Sequence, residues 1–158
     1  MSIEVGSVLP SAQLHEGNPG NAVDVTEAFG TGKHVIFAVP GAFTPGCSKT
    51  HLPGYVEAAG RLKAKGIQSI ACVAVNDAFV MEAWGKDQGT AGKVRMLADP
   101  LAAFTKALGL DVDAAALGGT RSKRYAMVVE DGKVTELQVE PDGFGLSCSL
   151  APSLLERL

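Results

Sequence analysis

Two apolar segments separated by an amphipathic one constrain the fold of this chain more than any other feature. Residues 33–40 (KHVIFAVP) and residues 67–75 (IQSIACVAV) are each an apolar run with the length of one buried strand. Between them, residues 48–65 repeat apolar side chains at the spacing of one helical face, with a Pro-Gly pair that predicts a bend, and Gly66 ends the helix. A strand, a helix and a second strand in this order form a crossover unit, in which the two strands are parallel.

The rest of the chain predicts further strands and helices around that unit. Asp77 is a candidate N-cap, and the pair Asp131-Gly132 is the strongest hairpin signal in the chain. The predicted helices cover residues 78–86, 101–108 and 150–158, and the further strands cover residues 94–98, 124–130 and 133–139. This order predicts an α/β fold, a thioredoxin-like sandwich with a central mixed β-sheet flanked by helices, as a single domain over residues 1–158.

Charge and hydropathy exclude several classes of partner. The formal net charge is −3 at pH 7, whereas nucleic acids and anionic membrane surfaces are bound by basic faces. The longest apolar runs are too short to cross a bilayer, and residues 1–10 lack the pattern of a signal peptide. We therefore expect a cytoplasmic protein without nucleic-acid or membrane partners, or a mitochondrial or other organellar one if a presequence has been removed.

The cysteines and histidines are few and scattered. They are Cys47, Cys72, Cys148, His15, His34 and His51. No C-x-x-C pair is present, and the spacing suits neither a secreted disulfide framework nor a structural zinc site. No glycine-rich phosphate loop is present either. We expect no metal and no cofactor, and any disulfide is expected to be transient.

Cys47 lies between the first predicted strand and the helix that follows it, in the segment VPGAFTPGCS. Backbone N–H groups at a helix N-terminus are unpaired and carry partial positive charge, so they favour the thiolate, which is the reactive form of cysteine. Gly46 allows a substrate to approach the backbone closely, and Pro45 biases Thr44 away from helical angles. The flanking glycines and prolines predict an exposed turn, and we interpret Cys47 as a reactive thiol.

The residues around Cys47 also resemble a known family. The segment PGAFTPGCSKTHLPG is similar to the active-site motif of peroxiredoxins, specifically of the peroxiredoxin-5 group and the plant type II enzymes. The similarity continues through KAKGI, ACVAVNDAFV, LADP, KRYAMVVEDG and VEPDGFGLSCSLAP, and so covers nearly the whole chain. The resemblance implies a cofactor-free thiol peroxidase that reduces hydrogen peroxide and organic hydroperoxides.

The resemblance implies roles for four residues. Cys47 matches the peroxidatic cysteine, which attacks the terminal peroxide oxygen and becomes a sulfenic acid. Thr44 matches the threonine that orients the peroxide, and Pro40 matches the proline that shields the sulfur from water. Arg124 matches the arginine that stabilises the thiolate and the charge that shifts onto the departing oxygen.

Two thiols could resolve the sulfenic acid. Cys148 lies in the Gly- and Ser-rich segment GFGLSCS, where we expect it to be exposed and mobile, and it matches the resolving cysteine of the peroxiredoxin-5 group. Cys72 lies inside an apolar strand, where a buried position is expected, and plant type II enzymes use a cysteine at the corresponding position. We predict an intramolecular disulfide with Cys148, reduced by thioredoxin. Resolution by Cys72 with glutaredoxin or glutathione is the alternative.

Other interpretations stay open at this level. From the residues alone, Arg121 and Lys123 rival Arg124 for the place beside the thiolate. His51, four residues after Cys47, shares its helix face but is interpreted as structural, because no further ligands follow at suitable spacing. A redox sensor or chaperone-like module that uses the same thiol is an alternative class, and a homodimer is a possible assembly.

Overall fold

The crossover unit predicted from residues 33–75 forms the centre of the sheet in the computed structural model, which describes residues 2–158. The strands are β1 Gln13–Glu16, β2 Asn18–Asp24, β3 Lys33–Ala38, β4 Ser69–Ala74, β5 Arg95–Ala98, β6 Asp111–Ala114, β7 Gly119–Ser122, β8 Tyr125–Glu130 and β9 Lys133–Val139. The helices are α1 Val25–Phe29, α2 Leu52–Ala64, α3 Ala78–Gln88, α4 Ala103–Ala107 and α5 Ala151–Leu155. A π-helical turn, Cys47–His51, precedes α2, and a 3-10 turn, Ala115–Leu117, lies between β6 and β7.

The main sheet has seven strands in the order β2-β1-β5-β4-β3-β8-β9. β4 pairs in parallel with both β3 and β5, and the other pairs in this sheet are antiparallel. β6 and β7 form a separate two-stranded sheet. The central strands are apolar because both faces of the sheet are covered, one by α2, α3 and α5 and the other by α1 and α4. The predicted thioredoxin-like mixed sheet is confirmed.

The hairpin between β8 and β9 forms where the Asp131-Gly132 pair predicts it. Asp131 has φ +50° and Gly132 has φ +81°, so both central residues lie in the left-handed region that a tight two-residue hairpin requires. The Asp131 carboxylate also accepts a hydrogen bond from the Gly32 N–H at 2.8 Å, which ties the turn to the start of β3. This local turn chemistry sets the register of β8, the strand that follows Arg124.

Several predicted boundaries move because side chains compete for the helix ends. The helix predicted over 101–108 is shorter, because the buried Asp99 carboxylate accepts from the backbone N–H groups of Phe104 and Thr105. The predicted N-cap Asp77 is confirmed, since it accepts from the Val80 N–H at 2.9 Å. The helix predicted over 48–65 begins as the π-helical turn, and its proline lies in the first turn of α2, directly after that π-helical turn.

Within residues 2–158, none of the helices combines the length and the apolar character that crossing a bilayer would require.

Candidate active site

The chain leaves the sheet at the end of β3 and reaches Cys47 through a loop of eight residues, 39–46. The loop is anchored by the Ala42 N–H, which donates to the Asn76 side chain at 3.0 Å. Cys47 then opens the π-helical turn, in which the Leu52 N–H donates to the carbonyl oxygen of Cys47, five residues earlier. Single π-helical turns of this kind are common at functional sites, because they displace one residue from the regular helical path.

Phe43 and Pro45 are exposed, as expected of the turn before Cys47, but Cys47 itself is fully buried. Its side chain belongs to the apolar layer formed by β3, β4 and α2, and Pro40, seven residues earlier, is also buried. In the loop before Cys47, Phe43 has φ +63°. Its ring is half-exposed and lies 6.4 Å from that of Trp84. The thiol is therefore shielded from bulk water.

The hydroxyl oxygen of Thr44 remains able to accept a hydrogen bond. The hydroxyl donates to the Gly41 carbonyl oxygen at 2.7 Å, which uses its only proton and leaves its lone pairs free. The Thr44 carbonyl oxygen accepts from the Ser48 N–H at 2.9 Å, which fixes the residue against the π-helical turn. A hydroxylic group beside Cys47 could donate to Thr44.

Arg124 is the cation that reaches Cys47. Its guanidinium is almost fully buried and donates through Nη2 to Cys47 Sγ at 3.4 Å and through Nε to the Phe144 carbonyl oxygen at 3.2 Å. Arg121 instead donates to the carbonyl oxygens of Leu117, at 2.7 Å, and Pro40, at 3.5 Å. The geometry thus separates Arg124 from Arg121, which position in the sequence alone cannot do.

His51 joins the guanidinium to the segment that carries Cys148. Arg124 Nη1 lies 3.1 Å from His51 Nδ1, and because a guanidinium only donates, Nδ1 must be the accepting nitrogen of a neutral ring. Nε2 then carries the proton and donates to the Ser149 carbonyl oxygen at 3.2 Å. Burial and the neighbouring Arg124 charge lower the pKa of His51 to about 3, which keeps the ring neutral. The sequence interpretation of His51 did not identify this link, although its spacing from Cys47 was the available signal.

Gly46 explains how closely the two thiol segments approach. A Cβ atom at this position would lie 3.3 Å from Arg124 Nη2 and 3.3 Å from a methyl group of Leu146. Both neighbours sit against the bare Cα of Gly46, so the Leu146 side chain covers the turn that carries Cys47. Leu146 lies two residues before Cys148, and the two segments share this contact.

Cys148 is half-buried rather than exposed, which corrects the sequence expectation. Its thiol donates to the Val139 carbonyl oxygen at 3.5 Å. Burial raises the pKa of the Cys148 thiol, and the nearby Glu140 carboxylate raises it further. In this conformation Cys148 is a protonated thiol held by its surroundings.

Glu140 organises the residues on both sides of Cys148. Its carboxylate accepts four hydrogen bonds of 2.5–2.9 Å, from the N–H and hydroxyl of Ser147 and from the N–H and hydroxyl of Ser149. Burial acts to raise the pKa of Glu140, but these hydrogen bonds outweigh it and lower the pKa to about 2. The Tyr55 hydroxyl also donates to the Ser149 carbonyl oxygen, at 2.7 Å. Sequence reasoning missed Glu140, Ser147, Ser149 and Tyr55.

Cys72 is fully buried within β4, as its apolar surroundings predict. It lies in the same apolar layer as Cys47 and pairs in register with Phe37 of β3 and Met96 of β5. Burial raises the pKa of Cys72 well above its usual range, and the neighbouring Cys47 charge adds to that effect. All three cysteines are free thiols, and residues 2–158 contain no cluster of three or more His, Cys, Asp or Glu side chains able to hold a metal ion.

Known proteins of one family are similar to this chain over nearly its whole length. The family model described as Redoxin matches residues 4–147. The chain is 44% identical to Peroxiredoxin-2E, chloroplastic, of Arabidopsis thaliana over 99% of this chain and 70% of that protein. It is 41% identical to Peroxiredoxin-2B of the same plant over 99% of this chain and 98% of that protein.

A solved structure is also similar over almost the whole chain. Reduced Prx3 of Vibrio vulnificus in complex with hydrogen peroxide is 51% identical and covers 99% of each chain, with a TM-score of 0.92. The oxidised form of that protein gives a TM-score of 0.88.

Proposed function

The chain belongs to the Redoxin family and is a peroxiredoxin, an antioxidant thiol peroxidase, and from this premise we propose that Cys47 is its peroxidatic cysteine, Cys148 its resolving cysteine and thioredoxin its reductant. The observation that carries the proposal is the 3.4 Å contact between Arg124 Nη2 and Cys47 Sγ, two side chains that are both buried. A guanidinium stays charged at any relevant pH, so it stabilises the thiolate that must attack the peroxide.

In the first step the Cys47 thiolate attacks the terminal oxygen of the hydroperoxide. The S–O bond forms as the O–O bond breaks, the sulfur becomes a sulfenic acid, and the departing alkoxide or hydroxide takes up a proton to leave as alcohol or water. Thr44 would accept the hydrogen bond of the peroxide, because its own proton is already donated to Gly41. Arg124 would stabilise the charge on the departing oxygen, and Pro40 would exclude water.

In the second step the Cys148 thiol attacks the sulfenic acid, and a disulfide forms with release of water. Cys148 is supported over Cys72 because it lies in the connection between β9 and α5, whereas Cys72 lies in a central strand paired on both sides. Bringing Cys72 out would break the ladder of β4, and moving residues 143–149 would break mainly side-chain contacts. Because a disulfide needs Cα atoms roughly 4.4–6.8 Å apart, residues 143–149 are the segment that we expect to move when Cys148 bonds to Cys47.

The test combines disulfide mapping with turnover. After one equivalent of peroxide, mass spectrometry of the intact and digested protein should show a Cys47–Cys148 linkage. Cys148→Ser should abolish thioredoxin-dependent turnover while leaving the first oxidation of Cys47 intact. A Cys47–Cys72 linkage, or full turnover of Cys148→Ser with glutathione and glutaredoxin, would replace Cys148 by Cys72 in the proposal.

The remaining partners and the location belong to the same proposal. A second copy of the chain could bind beside the site, where Phe43 and Phe79 are 53% and 64% exposed. Free thiols suit a reducing compartment such as the cytoplasm. The name of one Arabidopsis relative places that protein in the chloroplast, so an organelle is the alternative location.

A further inference from the structure

Glu140 carries a buried negative charge for which the peroxide chemistry has no use. The side chain is 1% exposed, and no lysine or arginine of residues 2–158 forms an ion pair with it. The carboxylate is instead stabilised by four hydrogen bonds from Ser147 and Ser149. Burying a charge is costly unless it is fully hydrogen-bonded, so a buried carboxylate is an expensive way to hold a surface segment in place.

The neighbouring carboxylate of Asp142 shows what ordinary loop capping looks like in the same segment. Asp142 is exposed and accepts from the N–H groups of Phe144 and Gly145, which completes a turn. Glu140 differs in two respects, because it is buried and because its two partners are the residues directly before and after Cys148. The carboxylate therefore holds the cysteine from both sides.

The environment of the Cys148 sulfur also opposes ionisation. Its thiol donates to the Val139 carbonyl oxygen, which only a protonated thiol can do. Glu140 and Tyr55 are the neighbours that interact electrostatically with the thiol, whereas His51 is hydrogen-bonded to the Ser149 carbonyl oxygen and the Arg124 carbonyl oxygen accepts from the Glu140 N–H. The charged group that acts most strongly on Cys148 is therefore the Glu140 carboxylate, which would repel a Cys148 thiolate.

We propose that Glu140 is a positioning residue that keeps Cys148 protonated and its segment closed in the reduced enzyme, and thereby sets the rate at which the disulfide forms. The inference rests on the proposed function, in which Cys148 attacks the Cys47 sulfenic acid, the S–S bond forms and the sulfenic oxygen leaves as water. A slow second step lengthens the life of the sulfenic acid. Further peroxide then converts it to the sulfinic acid, so Glu140 also determines how readily the enzyme is inactivated by excess peroxide.

The first experiment measures Cys148 alone, in the reduced protein and without peroxide. In a Cys47→Ser background, the rate of iodoacetamide alkylation at Cys148 is followed by mass spectrometry from pH 6 to 10 for the parent, Glu140→Gln and Glu136→Gln. Glu136→Gln is the matched control, because it removes the same charge from β9, the strand that Glu140 directly follows. A shift of the Cys148 profile by one pKa unit would raise the thiolate fraction about tenfold at neutral pH, and we expect a change of this order for Glu140→Gln alone.

Ser149→Ala separates a weakened network from a lost charge. It removes one hydrogen bond to Glu140 and keeps the carboxylate, so Cys148 should alkylate faster without a shift of its pH profile toward lower pH. Equal profiles for Glu140→Gln and Glu136→Gln would overturn the proposal. If Glu140→Gln does not fold, Ser149→Ala still tests it, because an unchanged alkylation rate in that variant would contradict a closed segment held by Glu140.

The second experiment uses the enzyme with all three cysteines. After rapid mixing with one equivalent of peroxide, Glu140→Gln should form the Cys47–Cys148 disulfide several-fold faster than wild type and require more peroxide for sulfinic acid formation. The first oxidation of Cys47 should keep its rate. A slower disulfide step in Glu140→Gln would refute the inference. Absence of that disulfide in wild type would refute the proposed function instead, while the alkylation result would still stand.

Discussion

The turn that carries Cys47 and the segment that carries Cys148 are held in place by different means. Cys47 is set by the end of a buried strand, a π-helical turn and the guanidinium of Arg124, all parts of the packed interior. Cys148 lies outside regular structure and is set by the carboxylate of Glu140 and by the thiol's own bond to Val139. One thiol is placed by packing, and the other by a few polar contacts.

That difference matches what each thiol has to do. A nucleophile that reacts first needs an environment that is already organised, because reorganisation would add to the barrier. A thiol that reacts second must move, and contacts made by side chains can be released without unfolding a strand. The two regions are joined at Arg124, which contacts Cys47 through Nη2 and the Phe144 carbonyl through Nε.

The largest effect is expected for Arg124→Lys, which removes the guanidinium that contacts both the turn of Cys47 and the segment of Cys148. An ammonium cannot reach Cys47, His51 and Phe144 together, so we expect kcat/KM for hydrogen peroxide to fall by roughly 10²–10³, the usual cost of losing one preorganised donor. Stopped-flow Trp84 fluorescence or competition kinetics would measure it. Arg121→Lys is the matched control. Its kcat/KM should stay within about threefold of the wild-type value, because the Arg121 guanidinium donates to backbone carbonyl oxygens and not to the Cys47 thiol. Equal losses of kcat/KM in both variants would show that the contact of Arg124 with Cys47 does not set the rate of the peroxide reaction.

The second link between the regions, His51, should appear in the pH dependence of stability. Its pKa is lowered from 6.5 to about 3 on folding, mainly by burial and then by Arg124, so the unfolded chain binds the proton more tightly. Stability from this group is complete above pH 6.5 and is lost as pH falls toward 3. Between pH 7 and 4.5 the free energy of unfolding should fall by roughly 2–3 kcal/mol through His51.

His51→Gln should flatten that slope, and urea unfolding followed by Trp84 fluorescence at pH 7.0, 5.5 and 4.5 would measure it. Glu140 interferes little in this window, because its pKa lies at about 2 in the folded chain and 4.5 in the unfolded chain. Its own contribution is lost mainly below pH 4.5. An unchanged slope in His51→Gln would mean that His51 is not the neutral bridge described here.

The smallest effect is expected at the third thiol, which belongs to neither region. Cys72→Ala should leave peroxidase turnover with thioredoxin unchanged and lower the free energy of unfolding by only about 1 kcal/mol, since a small buried side chain is shortened. Alanine is preferred to serine, because a buried hydroxyl in β4 would need a partner. Steady-state kinetics and urea unfolding would measure both quantities. Loss of turnover in Cys72→Ala would transfer the resolving role to Cys72.

The sequence predicted those parts of the fold that depend on local chemistry or on continuous burial. The Asp131-Gly132 turn and the buried strands β3 and β4 were predicted, because turn geometry and an apolar run are visible in adjacent residues. The N-terminal hairpin of β1 and β2 was not, because β2 is largely exposed and polar, with proline, glycine and two asparagines in seven residues. An edge strand of this kind has no apolar alternation to detect.

The site divides in the same way. Cys47 was interpreted as a reactive thiol from its local setting, whereas its specific role and those of Thr44, Pro40, Arg124 and Cys148 came from a motif resemblance and remain predictions. The contacts between them could not be predicted, because His51 meets Ser149 across 98 residues of sequence and Arg124 meets Cys47 across 77. Glu140 gave no signal, since a carboxylate after a strand is usually solvated. Its burial follows from the path of residues 141–149 over it, which only the folded chain shows.

The contact between Gly46 and Leu146 has a consequence for protein engineering. A designer who wished to graft this reactive cysteine onto another thioredoxin-like scaffold would find that residues 40–51 are not a portable cassette. The glycine would lose both of its close neighbours, Leu146 and Arg124, and an arginine grafted without Phe144 would lack the carbonyl that binds its Nε. The smallest unit that could be transplanted therefore includes residues 140–149 and Arg124 as well.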